Sequence, residues 1–356
     1  MSVEKIYRNE MIVAYRSNVY YKSRRYLGER RKTKKEAELD EVNQKRDFMT
    51  GSYFEETKRS LDNGYEDYML LLAPKRLSYN SIVYAKNLYN KHIKPEFGFR
   101  EMVSIKPLEI QRFLTKKENE LANSTIIKIY SLLNQLYKMM IKWDELKNNP
   151  LDGVTKPSPN YREKKIWTKE ESKQFLAAAE EYQSFMAFWL ALQFGLRLGE
   201  VQGLQWANID FENRLLHVEQ AYHEEEKKLG RLKSKASKRS IPISRRQVDF
   251  LQTVQKKQTP KSKLVTSNSE GGFLMKRNIR RAMTSVCKQA EIKKISFHEL
   301  RHTHATLMLE MNEHPKIVQQ RLGHAKVETT LNIYSHVRPQ VHRDSAERFS
   351  NFFDAD

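Results

Sequence analysis

One cysteine, Cys287, stands in 356 residues, so no internal disulfide can form and no cysteine zinc cluster can be built. A reducing compartment fits that scarcity. Long apolar runs are missing as well: the longest, Phe185 to Leu192, is far short of the roughly 20 residues a membrane span requires. The opening residues carry Glu4, Lys5 and Arg8 where a secretory signal would have its apolar core, so a cytoplasmic chain without membrane insertion is expected. No glycine-rich nucleotide-binding loop appears. Acidic residues are outnumbered, 44 Asp and Glu against 64 Lys and Arg, for a net charge of +20. A cationic surface of this size suits a polyanion; nucleic acid is the natural partner.

The length allows two or three domains with real cores. Met11 to Tyr26 alternates β-branched and aromatic residues with polar ones, which predicts short antiparallel strands. Thr33 and Glu36 form a capping box for a helix reaching about Phe48. Around this turn cluster Lys22, Arg24, Arg25, Arg30, Arg31 and Lys32, with Tyr21 and Tyr26 nearby. They make candidate DNA contacts on a small strand-and-helix module, the plainer alternative being a solvated charged face. From about Leu61 to Asn149 the pattern is helical and predicts a bundle of four helices, one opening at Pro107 and a long one capped by Ser124. Pro150 to Pro159, with Gly153 and Ser158 between, breaks that pattern and is read as a hinge. Thr168 and Glu171 then cap a new helix, and Phe185 to Leu196 reads as a buried helix delivering Arg197 at its end. Strand-like Leu215 to Val218 and Arg239 to Ile243 bracket a run of charges from Glu224 to Lys238, which predicts a hairpin with a basic tip. The boundaries expected are 1–58, 59–155, a linker at 156–166, and 167–356.

The chemistry-bearing residues concentrate between Lys294 and Val337. Ser296 and Glu299 form a capping box that starts a helix at about Phe297, placing His298 and Arg301 in its first turn on one face, beside free backbone N–H groups. That is a place for an anion. A second helix from Pro315 to Leu322, with Ile317, Val318 and Leu322 as its buried positions, stops at Gly323 and leaves His324 at its exit. Tyr334 follows ten residues later. Upstream, Phe194-Gly195-Leu196-Arg197-Leu198-Gly199-Glu200 sets Arg197 between two glycines, with Glu200 placed to hold its guanidinium. Each residue alone is more often packing or a solvated charge; together they ask for one site.

The set GLRLGE, HELRH, LGH and the tyrosine ten residues beyond resembles the tyrosine recombinase (phage integrase) family. By that resemblance Arg197, His298, Arg301 and His324 are phosphate-binding and proton-handling residues and Tyr334 is the nucleophile. The catalytic lysine of the family lies on the hairpin, and Lys233-Ser234-Lys235-Ala236-Ser237-Lys238-Arg239 matches its pattern, with Lys233 chosen and Lys235 as the rival. Glu200 and His302 are supporting residues. The fold class implied is mainly α with small β elements: an N-terminal strand/helix arm-binding module, a helical core-binding bundle and a mixed α/β catalytic domain. Implied too are double-stranded DNA with attachment-type sites, a homotetramer on the DNA synapse, accessory DNA-bending and excision factors, a bacterial cytoplasmic setting, and neither cofactor nor metal. The tail, with Ala346, Phe349, Phe352 and Phe353 on one side, suits docking either on a neighbouring protomer or on its own domain.

A phosphodiester under attack gathers negative charge on its non-bridging oxygens, so two arginine forks placed beforehand do much of the work. A tyrosine with its ordinary pKa of about 10 needs such a cationic pocket to act. A type IB topoisomerase-like nicking enzyme would use the same pocket without pairing two sites, and a DNA-binding regulator would leave it idle. His298-Glu299-Leu300-Arg301-His302 also spells H-E-x-x-H, the zinc-protease signature. Its metzincin extension fails at Ala305 and Met308, and only Glu310, Glu313 or Glu328 could stand as a third ligand.

Overall fold

A computed structural model describes residues 3–50, 58–159, 165–232, 235–325, 328, 346–347 and 349–352. The chain divides into two compact units, 1–161 and 162–356.

The first unit opens with a three-stranded antiparallel sheet, β1 (Val3–Arg8), β2 (Met11–Tyr21) and β3 (Arg24–Leu27), in that order. The strands expected between Met11 and Tyr26 are present, and β1 is an addition whose charges hide its alternation. Lys22 and Ser23 turn β2 into β3 with φ of 46° and 63°, the left-handed pair that a two-residue hairpin turn demands. Helix α1 (Lys34–Thr50) begins at the Thr33–Glu36 box, with reciprocal bonds of 3.1 and 3.3 Å. It packs on the sheet by placing Phe48 against Tyr21 and Tyr26, ring centroids 4.6 and 4.7 Å away.

The helical bundle comprises α2 (Leu61–Asp67), α3 (Ala73–Arg76), α4 (Tyr79–Leu88), α5 (Lys94–Phe97), α6 (Pro107–Glu118) and α7 (Asn123–Lys142). π turns at Tyr68–Leu72 and Tyr89–Ile93 join α2 to α3 and α4 to α5. Each lies just ahead of a proline, Pro74 and Pro95. A proline has no N–H to donate and its ring crowds the carbonyl four residues back, so the helix widens there, and Ala73 and Lys94 bond to Tyr68 and Tyr89, five residues back. Tyr65 and Tyr89 stack in the core with centroids 3.6 Å apart, and the Tyr89 hydroxyl donates to Asp62 at 2.7 Å. Helix α7 starts at Ala122, with no side-chain cap, so Ser124 is not the cap expected of it but a residue of the first turn.

The proline-rich stretch also differs from expectation. Pro150–Gly153 forms a 3₁₀ turn whose Leu151 is 1% exposed, and Val154 behind it is 7% exposed, both inside the bundle core. Asn149 fixes the turn by accepting from Leu151 N–H at 3.1 Å and donating to Asn134 at 2.7 Å. Burial of two apolar side chains outweighs the punctuation by proline, and this part of the expected hinge is packed structure.

In the second unit α8 (Lys169–Ala179) starts at the Thr168–Glu171 box. The core is built round α9 (Phe185–Phe194), which is buried on nearly every side and packs against α13 (Phe297–Glu310). Short α10 (Leu198–Gly203), α11 (Arg245–Lys257), α12 (Lys276–Gln289) and α14 (Pro315–Leu322) surround it. A small antiparallel sheet runs β4 (Ile209–Asp210), β5 (Leu215–Val218), β8 (Arg239–Pro242), with Leu216 opposite Ile241. β5 and β8 pair as expected, and the segment between them carries a second hairpin, β6 (Gln220–His223) with β7 (Lys228–Arg231), where a loop was expected. Its tip, residues 224–227, holds Glu224, Glu225, Glu226 and Lys227, so it is acidic rather than basic. Glu224 accepts from the Lys276 N–H at 3.1 Å, where the partial positive charge of the α12 terminus favours a carboxylate. Ile317, expected to be buried, is 48% exposed, while Gln319 is buried on α14 with Val318 and Leu322. Trp167 ties the start of this unit to α13: its backbone N–H donates to Thr303 Oγ1 at 3.2 Å and its indole to the Lys293 carbonyl at 2.8 Å. In the tail, residues 346–347 and 349–352 are helical, with Phe349 and Phe352 67% and 75% exposed; Phe353 lies outside the described residues.

Leu151→Ala is expected to lower stability by about 2–4 kcal/mol, the usual loss for a buried leucine, read as a lower urea midpoint for the transition of the first unit. An unchanged midpoint would restore the hinge reading.

Candidate active site

Helix α9 ends at Gly195, whose φ of 65° turns the chain left-handed. A Cβ here would stand 2.5 Å from Leu322 Cδ2, so glycine also permits the close approach of α14. The turn buries Leu196 and makes Arg197 the residue before α10. Arg197 does not end α9, as the periodicity suggested; it caps the next helix. Its backbone N–H donates to Glu200 Oε2 at 3.0 Å, and Nη1 to Glu200 Oε1 at 2.7 Å. Nη2 reaches the Gly323 carbonyl at 3.4 Å, and one third of the side chain remains exposed.

Glu200 is the carboxylate in this cluster, and its side chain is 2% exposed. Burial alone would raise its pKa, but Arg239 and Arg197 overcome that and hold it below the ordinary value.

Arg301 is 2% exposed. Nη1 donates to the Gly195 carbonyl at 2.7 Å and Nη2 to the Leu322 carbonyl at 2.5 Å, the C-terminal ends of α9 and α14. Helix ends leave carbonyls without intrahelical partners, and here the guanidinium takes them up. Carbonyl dipoles satisfy its N–H groups without cancelling its charge. Burial, with Arg197 beside it, pushes its pKa down to about 9, so it stays cationic at neutral pH under strain that an anion would relieve.

His324 follows Gly323, which has φ of 65° and ends α14. Its backbone is fixed by Gln319, whose carbonyl accepts from its N–H at 3.1 Å and whose Nε2 donates to its carbonyl at 3.0 Å. Burial, then Arg301, Arg197 and Arg239, push the imidazole pKa down to about 3, so without an anion His324 is neutral. His298 lies near the start of α13, which opens at the Ser296–Glu299 box as expected. Although three residues apart on one helix, His298 is exposed while Arg301 is buried. His298 lines a cleft of about 680 Å³ with Lys276, Arg280, Lys294 and Leu198. His302 packs edge-on against it, ring centroids 4.8 Å apart. Glu299, the base that a zinc-protease reading requires, accepts from the Ser296 N–H and is committed to the helix start.

Lys233 and Tyr334 lie outside the described residues, and so does the Lys235 side chain. The 3₁₀ turn Lys235–Ser237 itself abuts the Gly323 turn: a Cβ on Gly323 would stand 2.8 Å from the Ala236 carbonyl. On the N-terminal sheet module, Arg24, Arg30 and Lys32 are exposed. Lys22 sits 5.4 Å from the Tyr21 ring, Arg25 is tied to Asn18 and Glu4 at 2.9 and 3.2 Å, and Arg31 to Asp40 at 2.6 Å. Arg25 and Arg31 therefore help hold the module together.

The structure gives partners to residues outside the expected site set, among them the arginine that closes the Lys233–Arg239 pattern. Arg239 donates to Glu200 at 3.0 Å and to the Arg321 carbonyl at 2.6 Å. Its signal was strand alternation, since period two puts it on the face of buried Ile241. Arg321 donates to the Pro242 and Gln193 carbonyls, both at 3.3 Å. His304, one turn after Arg301, is buried with Nδ1 2.8 Å from the Leu192 carbonyl. Together these place arginine cations around one carboxylate, an arrangement able to hold a phosphate-like anion and to stabilise charge growing on it.

Comparison with known proteins gives a consistent picture. The model of the Phage integrase family matches residues 165–341, and that of the Phage integrase N-terminal SAM-like domain matches residues 65–117. The chain is 25% identical over 283 residues to the ICEBs1 integrase of Bacillus subtilis (strain 168), covering 75% of this chain and 76% of that protein. Its fold is similar to that of the Tn1549 transposon integrase in complex with transposon right end DNA, with TM-score 0.69, 21% identity, and coverage of 82% and 100%. It is also similar to a lambda integrase tetramer bound to a Holliday junction, with TM-score 0.64, 17% identity, and coverage of 90% and 92%.

His304 yields a pH prediction. Burial, then the nearby Arg321, pushes its folded pKa down to about 3, against an ordinary histidine value of 6.5. The stability it contributes is therefore full above about pH 6.5 and is lost as pH falls, at roughly 1 kcal/mol per pH unit. His304→Asn keeps a donor for the Leu192 carbonyl and removes the titration. Urea midpoints measured at about pH 7 and about pH 5.5 should fall less for this variant than for the parent.

Proposed function

The chain belongs to the phage integrase family, and on that footing we propose that it is a tyrosine site-specific recombinase that inserts a mobile genetic element into a bacterial chromosome and excises it. The observation carrying this reading is the set of carbonyl-anchored cations, Arg197 and Arg301, that meet His324 at the end of α14 with Glu200 as their carboxylate. Support for the DNA substrate comes from the relatives: one is an integrase, and two similar folds were solved on transposon-end and Holliday-junction DNA.

In the proposed reaction the Tyr334 oxygen attacks phosphorus, the bond to the 5′ oxygen breaks, and a 3′-phosphotyrosyl ester forms. Arg197 and Arg301 take the charge that gathers on the non-bridging oxygens. Lys233, or Lys235 in its place, gives the departing 5′ oxygen its proton. His298 and His324 donate hydrogen bonds or carry the phenol proton; an arriving phosphate offsets the arginine charges that, after burial, lower the proton affinity of His324, and so raises it. The ester conserves the energy of the broken bond, so the 5′ hydroxyl of a second strand displaces the phenolate without a nucleotide cofactor or metal. Four protomers on two DNA segments exchange strands pairwise, with accessory factors for bending and excision. DNA of the bacterial cytoplasm is the setting, and among the described residues no helix is long and apolar enough to cross a membrane. Lys22, Arg24, Arg30 and Lys32 are exposed basic residues proposed to touch phosphate on a second DNA address.

A nicked suicide duplex carrying an element end tests this. The parent should accumulate a covalent protein–DNA adduct, and Tyr334→Phe should form none; adduct at parental levels from Tyr334→Phe would remove the assignment. Arg197→Lys keeps the charge and loses the fork, so cleavage at saturating DNA should fall about 100-fold, the usual loss on removing an oxyanion donor. Single-turnover rates give the comparison.

A further inference from the structure

We propose that Arg239 is a positioning residue for strand cleavage, setting the Arg197 fork through Glu200 while holding the end of α14 that leads into His324. This rests on the recombinase reading above. One guanidinium reaches acceptors on three separate segments. Nη2 and Nη1 donate to Glu200 Oε2 and Oε1 at 3.0 and 3.3 Å, Nε donates to the Arg321 carbonyl at 2.6 Å, and Nη1 also donates to the Ser237 carbonyl at 2.9 Å. Those segments are the start of α10, the last turn of α14 and the turn that follows Lys233. Each adjoins a group that the reaction uses.

The geometry separates Arg239 from the groups that meet substrate. Its side chain is 6% exposed, against 33% for Arg197, so it acts through its neighbours and not on the phosphate. Glu200 grips Arg197 with one oxygen on Nη1 and the other on the backbone N–H. Both of those oxygens also accept from Arg239, so the carboxylate cannot rotate without breaking bonds on both sides. The aliphatic stem matters as well: a Cβ on Gly323 would stand 3.1 Å from Arg239 Cδ, which shows how closely the turn before His324 lies on it. Five N–H donors in a rigid plane can span such acceptors, whereas a lysine ammonium offers three donors from one point. A displacement of about 1 Å at a reacting group is enough to slow chemistry by about 100-fold.

Arg239→Lys and Arg239→Ala in the full chain test this on the nicked suicide duplex. For Arg239→Lys, single-turnover cleavage at saturating DNA should fall about 30-fold with DNA affinity changed less than about threefold. Arg239→Ala should be slower still, and guanidinium ion at millimolar concentration should return about tenfold of its rate, sodium chloride at equal ionic strength returning none. Parental cleavage by Arg239→Lys overturns the proposal. So does a loss of cleavage that parallels loss of DNA binding and of melting temperature in both variants, with no guanidinium rescue, because that is the signature of a merely structural arginine. A parent that forms no adduct sinks the recombinase reading itself, whereas a parent that cleaves and a lysine variant that matches it sink the assignment of Arg239 alone.

Discussion

A buried cation must have its N–H groups bonded, yet a site for phosphate must keep its positive charge. The second unit meets both demands with backbone carbonyls. Arg301 lies on the Gly195 and Leu322 carbonyls and Arg239 on those of Arg321 and Ser237, while half-buried Arg321 reaches those of Gln193 and Pro242 and leaves its Nε–H without a partner among the described residues. Several belong to the last turns of α9 and α14, where helices leave carbonyls unpaired and carry partial negative charge. Carboxylates in those positions would have neutralised the pocket. Dipoles orient the guanidinium groups and leave most of the charge for a ligand; burial first, and the neighbouring arginines after it, lower the proton affinities of Arg301 and His324.

That solution depends on two glycines. Gly195 and Gly323 both take φ of 65°, where an L side chain is strained, and both lie in contact too close for a Cβ. Each ends a helix in the left-handed conformation that turns its final carbonyls outward, and each is followed within two residues by a site residue, Arg197 or His324. Glycine, arginine and histidine here form one unit of structure: the turn exposes the carbonyl, the carbonyl holds the cation, and burial together with the cation keeps the histidine neutral. Trp167 extends the linkage to the first residues of the unit, since its two N–H groups bind Thr303 on α13 and the Lys293 carbonyl just before it.

The first unit obeys different constraints. Its basic N-terminal module is too small for a large core, so Phe48 between two tyrosines and the Arg31–Asp40 and Arg25–Glu4 pairs hold it together. Some of the charge that looked available for a partner is therefore spent internally. In the bundle, prolines are absorbed, Pro74 and Pro95 by π turns and Pro150, which was read as part of a hinge, by a 3₁₀ turn that buries Leu151.

Local information was enough for whatever depends on neighbours in the chain. Capping boxes at Thr33, Thr168 and Ser296 stand where the residue types put them, because a side chain and the backbone three residues on interact whatever the rest of the protein does. The set Arg197, His298, Arg301 and His324 was legible only through the family resemblance of its motifs, since no interaction between chain neighbours joins residues so far apart. Long-range packing decided the remainder. Ile317 is exposed and Gln319 buried because the neighbours of α14, not its own periodicity, choose which face is covered. Nothing local assigns Arg239 or Arg321 its partners; only the arrival of α10, β8 and α14 at one place supplies the carbonyls and the carboxylate against which Arg239 is buried and the carbonyls that Arg321 reaches, and a carbonyl's direction is written in the fold rather than in any residue's identity.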